Sequence, residues 1–244
     1  MSERVILLGG TSGIARGIAS ALAERGDAIV LAARDTAEAE RNAADLRARH
    51  GAEVSVVPFD ALDYDGHQAF LEGLAPFDGV VLAFGAMSEQ AEAQADFALA
   101  RRMIEVNYVA AVSLLERAAA LLEARGGGYL AALSSVAGDR GRPSNYLYGS
   151  TKAALTAYLS GLRSRLAKRG VRVITVKPGF VYTAMTRDVL KPDSPLVANP
   201  AQVGRDVARA IARGASTVYT PWFWRWIMLV IRAIPELIFK RLSL

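Results

Sequence analysis

The stretch VILLGGTSGIARGIA, residues 5–19, decides the fold, because it joins a short apolar run to a helical pattern through a glycine-rich turn. Glycines allow a tight turn and a close approach of backbone to a ligand, and the helix N-terminus supplies free N–H groups and a partial positive charge. Gly9, Gly13 and Ala15 lie where a dinucleotide's pyrophosphate needs them. Many strand-to-helix turns contain glycine for steric reasons alone, so the turn favours a dinucleotide only if the chain alternates strands and helices.

Outward from this turn, short β-branched runs do alternate with longer helical patterns. The predicted strands cover residues 5–8, 28–32, 54–57, 80–83, 129–133, 171–176 and 217–219. The predicted helices lie near residues 14–25, 36–50, 63–74, 97–124, 146–168 and 201–213. Repeated β-then-α units predict an α/β fold with a parallel sheet covered by helices on both faces. We therefore expect one doubly wound, Rossmann-type domain over residues 1–220, followed by a tail over residues 221–244.

The bulk composition narrows the function classes. The chain has 244 residues, 52% of them hydrophobic, a net charge of +5 and no cysteine. This composition argues against disorder, excludes disulfides and cysteine nucleophiles, and predicts no metal site. Basic residues are scattered without a long run, so nucleic acid is not an expected partner. The segment MSERVILLGG lacks the long apolar stretch of a secretory signal, so we expect a cytoplasmic protein.

The end of the second predicted strand indicates which dinucleotide binds. An acidic residue there would hydrogen-bond the ribose diol of NAD(H), whereas a guanidinium would hold the 2′-phosphate of NADP(H). In the segment IVLAARD the apolar Ala33 is followed by Arg34, which favours NADP(H) over NAD(H). Two alternatives stay open: Arg34 is an ordinary solvated residue, or a shift of one residue presents the carboxylate of Asp35 instead.

A tyrosine and a lysine form the chemical end of the predicted site. Tyr148 and Lys152 are four residues apart and so share one face of a helix, although such pairs also occur by chance on amphipathic surfaces. Ser135 strengthens the prediction, because it ends the apolar strand YLAALSS, and open α/β sheets bind ligands at strand carboxyl ends. A ketone reductase needs a proton donor with a lowered pKa, which a nearby ammonium provides for a phenol. The three residues therefore predict carbonyl reduction.

Together these motifs resemble those of the short-chain dehydrogenase/reductase family over residues 4–220. The motifs are the turn at residues 9–15, Ser135, Tyr148 with Lys152, Asn107 in IEVNYVAAV, and the Pro-Gly of VKPGFVYTAM. The resemblance implies a single doubly wound domain with seven parallel strands. It also implies that Tyr148 is the general acid and base, and that Lys152 lowers its pKa and binds the nicotinamide ribose. Ser135 would polarise the substrate carbonyl, and Asn107 would hold a water that links Lys152 to solvent.

The same resemblance implies a set of cofactor contacts. These are Gly9, Thr11, Ser12, Gly13, Ile14, Arg34, Asp60, Ala61, Gly85, Tyr148, Lys152, Pro178, Gly179, Val181 and Thr183. Thr183 would touch the nicotinamide carboxamide, and Asp60 would touch the adenine. Two departures from the family pattern stand out: Ala15 replaces a third glycine, and residues 82–85 read LAFG where the family has Asn-Asn-Ala-Gly. Gly85 survives, so the backbone can still approach the cofactor ribose.

Three further segments are similar to a narrower group within the family. Residues 83–85, 134–153 and 234–242 resemble reductases of a decaprenylphosphoryl 2-keto-pentose, which complete an epimerisation begun by a flavin oxidase. The resemblance implies a 2-keto sugar on a polyprenyl phosphate as substrate, a flavin oxidase as partner and a role in cell wall biosynthesis. Other lipid-linked carbonyls, a small or acyl ketone, and a non-catalytic dinucleotide sensor remain alternatives.

The tail contains WFWRWIMLVIRAIP at residues 222–235, with all three tryptophans of the chain. A membrane-spanning helix needs about 20 apolar residues, and Arg225, Arg232 and Pro235 interrupt this run too early. Indole and arginine side chains suit the membrane interface, so we expect peripheral contact with the inner face of the plasma membrane. The alternative is that the tail packs against a neighbouring subunit of the homo-oligomer that we expect.

Overall fold

Residues 2–183, 186, 191 and 194–242 are described by the computed structural model, and seven of their strands form one parallel sheet. The strands of this sheet are β1 (Arg4–Leu8), β2 (Ala28–Ala33), β3 (Val54–Pro58), β4 (Gly79–Leu82), β5 (Gly128–Leu133), β6 (Val171–Pro178) and β9 (Thr217–Thr220). Their order is β3-β2-β1-β4-β5-β6-β9. A separate parallel pair consists of β7 (Phe180–Val181) and β8 (Val197–Ala198). The predicted fold class is confirmed, and all seven predicted strands are present.

The strand register explains where a ligand site forms. Strand β1 pairs with β2 on one side and with β4 on the other, so Leu8 stands opposite both Ala32 and Leu82. The strand order reverses between these two neighbours, because the chain runs outward to β3 before it returns beside β1. In open α/β sheets such a reversal leaves a crevice at the carboxyl ends of the strands.

Helices cover both faces of the sheet. They are α1 (Gly13–Glu24), α2 (Thr36–His50), α3 (His67–Leu74), α4 (Gln90–Ala95), α5 (Phe97–Ile104), α6 (Ala110–Arg125), α7 (Tyr146–Leu166), α8 (Pro200–Arg213), α9 (Trp224–Ala233) and α10 (Glu236–Phe239). Successive strand side chains point to opposite faces. Val5 and Leu7 therefore belong to the core beneath α1, α2 and α8, whereas Ile6 and Leu8 belong to the core beneath α3, α6 and α7.

Three helical segments differ from the sequence-based prediction. The helix expected over residues 97–124 is divided into α5 and α6 by a π-helical turn, Glu105–Val109. The helix expected from residue 63 begins at His67. Helix α4 was not predicted, because its sequence QAEAQA is short and has no apolar periodicity.

The tail forms two short helices that lie against the domain. Trp224 and Met228 on α9 are buried, and they form a small core with Val136. The opposite face of α9 and most of α10 are exposed, in keeping with the large amphipathic character of the segment. Residues 243 and 244 of the predicted tail lie outside the described residues. None of the helices that are described has the length and apolarity to cross a membrane.

Candidate active site

A cleft of about 1150 Å³ opens at the carboxyl ends of the sheet strands. Every cofactor contact implied by the resemblance lines this cleft, and so does Ser135. Asn107 is 1% exposed and lies behind the wall. The structure therefore brings the sequence-predicted residues together around one cavity, although their roles in binding and catalysis remain predictions. Of the predicted VYTAM segment, Ala184 and Met185 lie outside the described residues.

The glycine-rich turn is shaped by a close backbone contact and a helix cap. Gly9 has a φ of +90°, and a Cβ there would lie 2.7 Å from the amide nitrogen of Phe84, so a larger residue does not fit. Ser12 is the N-cap of α1, and its hydroxyl accepts a hydrogen bond of 3.1 Å from the amide of Ala15. The first turn of α1 carries no acidic residue, so its free N–H groups present a positive end to the cleft.

The end of β2 separates the roles of Arg34 and Asp35. Asp35 is the N-cap of α2, and its Oδ1 accepts a hydrogen bond of 2.9 Å from the amide of Glu38. Both residues line the cleft and are exposed, but the carboxylate is engaged by the helix, whereas no carboxylate of the described residues pairs with Arg34. The guanidinium is thus available to an anion at this end of the cleft.

Ser135, Tyr148 and Lys152 meet at the other end of the cleft. The hydroxyl of Ser135 accepts a hydrogen bond of 3.1 Å from the amide of Ala137 and also bonds the phenol of Tyr148. The ammonium of Lys152 donates a hydrogen bond of 2.9 Å to the carbonyl of Leu133 and lies 5.7 Å from the centroid of the Tyr148 ring. The strand end and helix α7 thus place a hydroxyl, a phenol and an ammonium side by side.

Burial sets the charge state of these groups. Tyr148 lines the cleft and is partly exposed, and burial raises the pKa of Tyr148 to about 12. The hydrogen bond with Ser135 opposes this shift. Burial lowers the pKa of Lys152 to about 8. The lowering of the Tyr148 pKa by Lys152, which the resemblance implies, stays a prediction.

Asn107 holds the backbone that follows β4. Its Nδ2 donates to the carbonyl of Ala86 at 2.8 Å and to the hydroxyl of Thr151 at 3.1 Å, and its Oδ1 accepts from the amide of Ala86 at 2.8 Å. A Cβ on Gly85 would lie 3.2 Å from this Oδ1 and 3.5 Å from Nζ of Lys152. Asn107 lies in the π-helical turn, a feature frequent at functional sites, which sets its side chain against the cleft wall.

Leu82 and Ala83 stand where the family pattern has two asparagines, and the aromatic Phe84 stands where it has alanine. Phe84 lines the cleft, and its ring centroid lies 6.0 Å from that of Phe59. Its backbone packs on Gly9. Apolar and aromatic packing by Leu82, Ala83 and Phe84 therefore replaces the hydrogen bonds that the family's two asparagines would make beside the cofactor.

The segment after β6 joins the cleft to the tail. A Cβ on Gly179 would overlap the indole ring of Trp224, so this glycine is needed for the close approach of the tail to the cleft wall. Phe180 lies 5.0 Å from Trp224, centroid to centroid, and also lines the cleft. On the far side, Thr183 packs near Gly13 at the start of α1.

The sequence analysis did not identify two polar residues of the cleft lining, Arg142 and Gln90. Arg142 is 8% exposed and lines the cleft, and its Nε has no hydrogen-bond partner among the described residues. Gln90, at the start of α4, also lines the cleft, and its Oε1 accepts a hydrogen bond of 3.1 Å from the amide of Leu147. The signal for Arg142 was its position between Ser135 and Tyr148, but an arginine in a loop is ordinarily solvated.

Comparisons with known proteins agree with this geometry. The sequence profile of the short chain dehydrogenase family matches residues 3–194. An uncharacterized oxidoreductase of Mycobacterium tuberculosis is 38% identical over 242 residues, which cover 98% of this chain and 96% of the relative. An uncharacterized oxidoreductase of Streptomyces coelicolor is 39% identical over 242 residues, which cover 98% and 95%.

Two solved structures are similar in fold. A short-chain dehydrogenase from Sphingobium yanoikuyae in complex with NADPH has a TM-score of 0.83 at 24% identity, over 96% of this chain and 97% of its own. L-sorbose reductase from Gluconobacter frateurii, complexed with NADPH and L-sorbose, has a TM-score of 0.79 at 23% identity, over 89% and 94%.

Proposed function

The chain belongs to the short-chain dehydrogenase family, a family of oxidoreductases, and from this premise we propose that it reduces a carbonyl substrate with NADPH. One observation carries the proposal. Ser135, Tyr148 and Lys152 stand at one end of a cleft whose other end is the glycine-rich turn before α1. A dinucleotide laid across this cleft would bring its nicotinamide to the hydroxyl pair.

The residues of the cleft fit NADPH. The positive end of α1 suits a pyrophosphate, and Arg34 suits the 2′-phosphate because the neighbouring carboxylate of Asp35 caps α2. The two similar structures named above contain NADPH, which supports the same preference. Bound NADPH would supply a hydride to the carbonyl carbon and become NADP⁺.

The protein's own part is to hold the carbonyl and deliver a proton. Ser135 donates a hydrogen bond to the carbonyl oxygen, and Tyr148 donates its phenolic proton to the same oxygen as the hydride arrives. Burial keeps Tyr148 protonated at neutral pH, since its pKa is raised to about 12, which is the state that reduction requires. Lys152 stabilises the phenolate that is left, until a proton from solvent restores the phenol.

The substrate that we propose is a 2-keto sugar on a polyprenyl phosphate. A flavin oxidase would form this ketone by oxidising the 2-hydroxyl, and reduction by this protein from the opposite side would complete an epimerisation in cell wall biosynthesis. The position of the tail supports this substrate. Trp224 and Met228 pack behind Val136 and near Phe180, both of which line the cleft. A lipid held by the tail would therefore lie next to the end of the cleft where reduction takes place.

The exposed side of the tail suits a membrane surface. We define the outer tail face as Trp222, Trp226, Leu229, Val230, Leu237 and Ile238, which are all more than half exposed. Arg225 and Arg232, seven residues apart on one flank of α9, and Arg241 are exposed as well. Apolar and aromatic side chains beside cations match the interface of an anionic bilayer. We propose that this face rests on the inner leaflet of the plasma membrane.

Proton donation by Tyr148 can be tested by hydride transfer. NADPH absorbance is followed with a farnesyl-phosphate-linked 2-keto pentose and with neutral soluble ketones. Tyr148→Phe removes the only proton that the mechanism delivers, so turnover falls by about 10²–10⁴-fold while NADPH affinity hardly changes. Tyr146→Phe is the matched control, because Tyr146 lies on the same helix and is exposed. Turnover by Tyr148→Phe at the wild-type rate, or no ketone reduced by the wild-type protein, would overturn the proposal.

Membrane binding has its own test. The double variant Trp222→Ser with Trp226→Ser should no longer cosediment with vesicles containing phosphatidylglycerol, and salt should weaken wild-type binding because it screens the arginines. Phe97→Ser is the control, since Phe97 is 74% exposed on α5. If the wild-type protein ignores the vesicles and the double variant instead changes from a dimer to a monomer, the outer tail face binds a second copy of the chain.

A further inference from the structure

The turn that leads into α7 contains a cation, Arg142, that pairs with no carboxylate among the described residues. The backbone carbonyl of Arg142 accepts a hydrogen bond of 3.1 Å from the amide of Asn145, which fixes the turn. The side chain of Arg142 is 8% exposed, lines the cleft and has no hydrogen bond at Nε to any described residue. Arginine is rarely buried without a carboxylate beside it, because an unpaired charge is costly to remove from water.

No carboxylate in the described part of the chain forms an ion pair with this guanidinium. Asp139, three residues earlier, is already paired with Lys177 and accepts a hydrogen bond of 2.8 Å from the hydroxyl of Tyr219. Glu89 lines the same cleft, but it is exposed and forms no ion pair with Arg142 in the described part of the chain. Burial lowers the pKa of Arg142.

Two further polar side-chain atoms in the lining of this cleft have no hydrogen-bond partner among the described residues. Nε2 of Gln90 and Oδ1 of Asn145 are buried at the cleft without hydrogen-bond partners among the described residues. The other side-chain atom of Gln90 is engaged, since Oε1 accepts from the amide of Leu147 in the first turn of α7. The first turn of α7 carries no acidic residue. The positive end of this 21-residue helix therefore lies beside Gln90, in the lining of the cleft.

We propose that Arg142, Gln90 and the start of α7 form an anion subsite, which binds a phosphate or carboxylate group of the carbonyl substrate. The subsite supplies a buried cation, an amide donor and a helix N-terminus in the lining of the cleft. Arg142 is the specificity-determining residue, and it selects an anionic ketone over a neutral one. This inference rests on the proposed function, because it names the substrate class of the same site.

The subsite is tested by binding, so that turnover is not needed. NADPH is first added in excess, so that its own phosphates occupy the cofactor end of the cleft. Titration calorimetry then measures the affinities of farnesyl phosphate, ribose 5-phosphate and neutral ribose. Arg142→Met should weaken phosphate binding by about 30-fold or more, as expected for one partner of a buried charge pair, and Arg142→Lys should restore part of it. Binding of farnesyl phosphate alone identifies a lipid-linked phosphate, whereas equal binding of both identifies any phosphomonoester.

Two controls exclude trivial causes. Arg101→Met removes the same charge from an exposed arginine that pairs with Glu105 at 3.7 Å and does not line the cleft, so it should leave phosphate affinity unchanged. Without ligand, Arg142→Met should unfold at the same or a higher denaturant concentration than the wild type, because no described residue depends on the guanidinium. A structural role for Arg142 predicts the opposite.

Several results would overturn the subsite. They are phosphate affinity that is unchanged in Arg142→Met, NADPH affinity that falls by the same factor, and loss of stability in the unliganded variant. If phosphates bind through Arg142 but no ketone is reduced, the subsite stands and the reductase proposal fails. If ketones are reduced but neither phosphate binds, the subsite fails and the reductase proposal stands.

Discussion

Replacing Lys152 by methionine should make the protein more stable at neutral pH. Lys152 is 3% exposed, and its ammonium donates a hydrogen bond of 2.9 Å to the carbonyl of Leu133. Burial lowers its pKa from 10.5 to about 8. Methionine keeps the length of the side chain and carries no charge, so the variant removes this desolvation cost while it leaves the packing of α7 in place.

The pH dependence follows from the two pKa values. Below pH about 8 the lysine is protonated in both the folded and unfolded chain, and the full cost of burying the ammonium is present. Between pH about 8 and 10.5 the unfolded chain still holds the proton and the folded protein does not, so wild-type stability rises with pH. Above this window the lysine is neutral in both states, and its burial costs nothing further.

The magnitude can be worked out from the same values. At about 1.4 kcal/mol per pKa unit, the lowering of the Lys152 pKa corresponds to roughly 3 kcal/mol. Loss of the charged hydrogen bond to Leu133 offsets about 1–2 kcal/mol, so Lys152→Met should gain about 1–2 kcal/mol at pH 7. The gain should disappear near pH 10.5, the upper end of the window.

Urea unfolding of both proteins at a series of pH values measures this difference without cofactor. Other groups titrate equally in the two proteins, so the difference in unfolding free energy isolates Lys152. The variant should also lose carbonyl reduction, which would show that a residue of the site is kept at the expense of stability. A variant that is less stable at pH 7, or a difference that does not change with pH, would refute the reasoning.

Three further predictions concern the cofactor, the pH profile and the tail. Arg34→Ala should weaken NADPH binding by about tenfold or more and leave NADH binding nearly unchanged, because only NADPH has the 2′-phosphate. Fluorescence titrations measure both affinities, and equal losses would show that Arg34 does not contact the cofactor. In the wild type, kcat/KM for reduction should fall above pH about 8 as Lys152 loses its proton, and a flat profile to pH 10 would exclude a role for the ammonium. Gly179→Ala should destabilise the protein by about 1–3 kcal/mol in urea because its Cβ overlaps Trp224, whereas Gly141→Ala, with open space around it, should have no effect.

The site residues that could be predicted from the sequence are those whose positions depend on a local turn, a strand end or a helical spacing. Gly9 is needed because a side chain would collide with the backbone at Phe84, and a glycine-rich turn after an apolar run is visible in the sequence. Ser135 and Tyr148 follow from a strand end and a helical spacing in the same way. These residues are recognisable because each has a local pattern, which the fold then brings into one cleft.

The parts that could not be predicted depend on contacts between distant segments. The π-helical turn at Asn107 is set by hydrogen bonds with Ala86 and Thr151, and nothing in IEVNYVAAV interrupts a normal helical pattern. The three tryptophans of the tail look equivalent in sequence. Only Trp224 is buried, because Gly179 leaves space for its indole ring. Helical periodicity indicates that a tail has two faces, but it does not identify the surface that covers one of them.

The loop between β5 and α7 contacts both the substrate end of the cleft and the tail. Ser135 lies near its start, and Arg140 within it donates hydrogen bonds to the carbonyls of Ile231 and Ile234 at the end of α9. The same guanidinium pairs with Glu236 at 2.9 Å and lies 3.7 Å from the ring centroid of Phe239, so it holds both tail helices. Two residues further along the same loop, Arg142 faces the cleft. A molecule that carries a ketone, an anionic group and a lipid chain would thus meet the hydroxyl of Ser135 and the guanidinium of Arg142 on this loop, and the outer tail face beside it. A small neutral ketone would use only the hydroxyl.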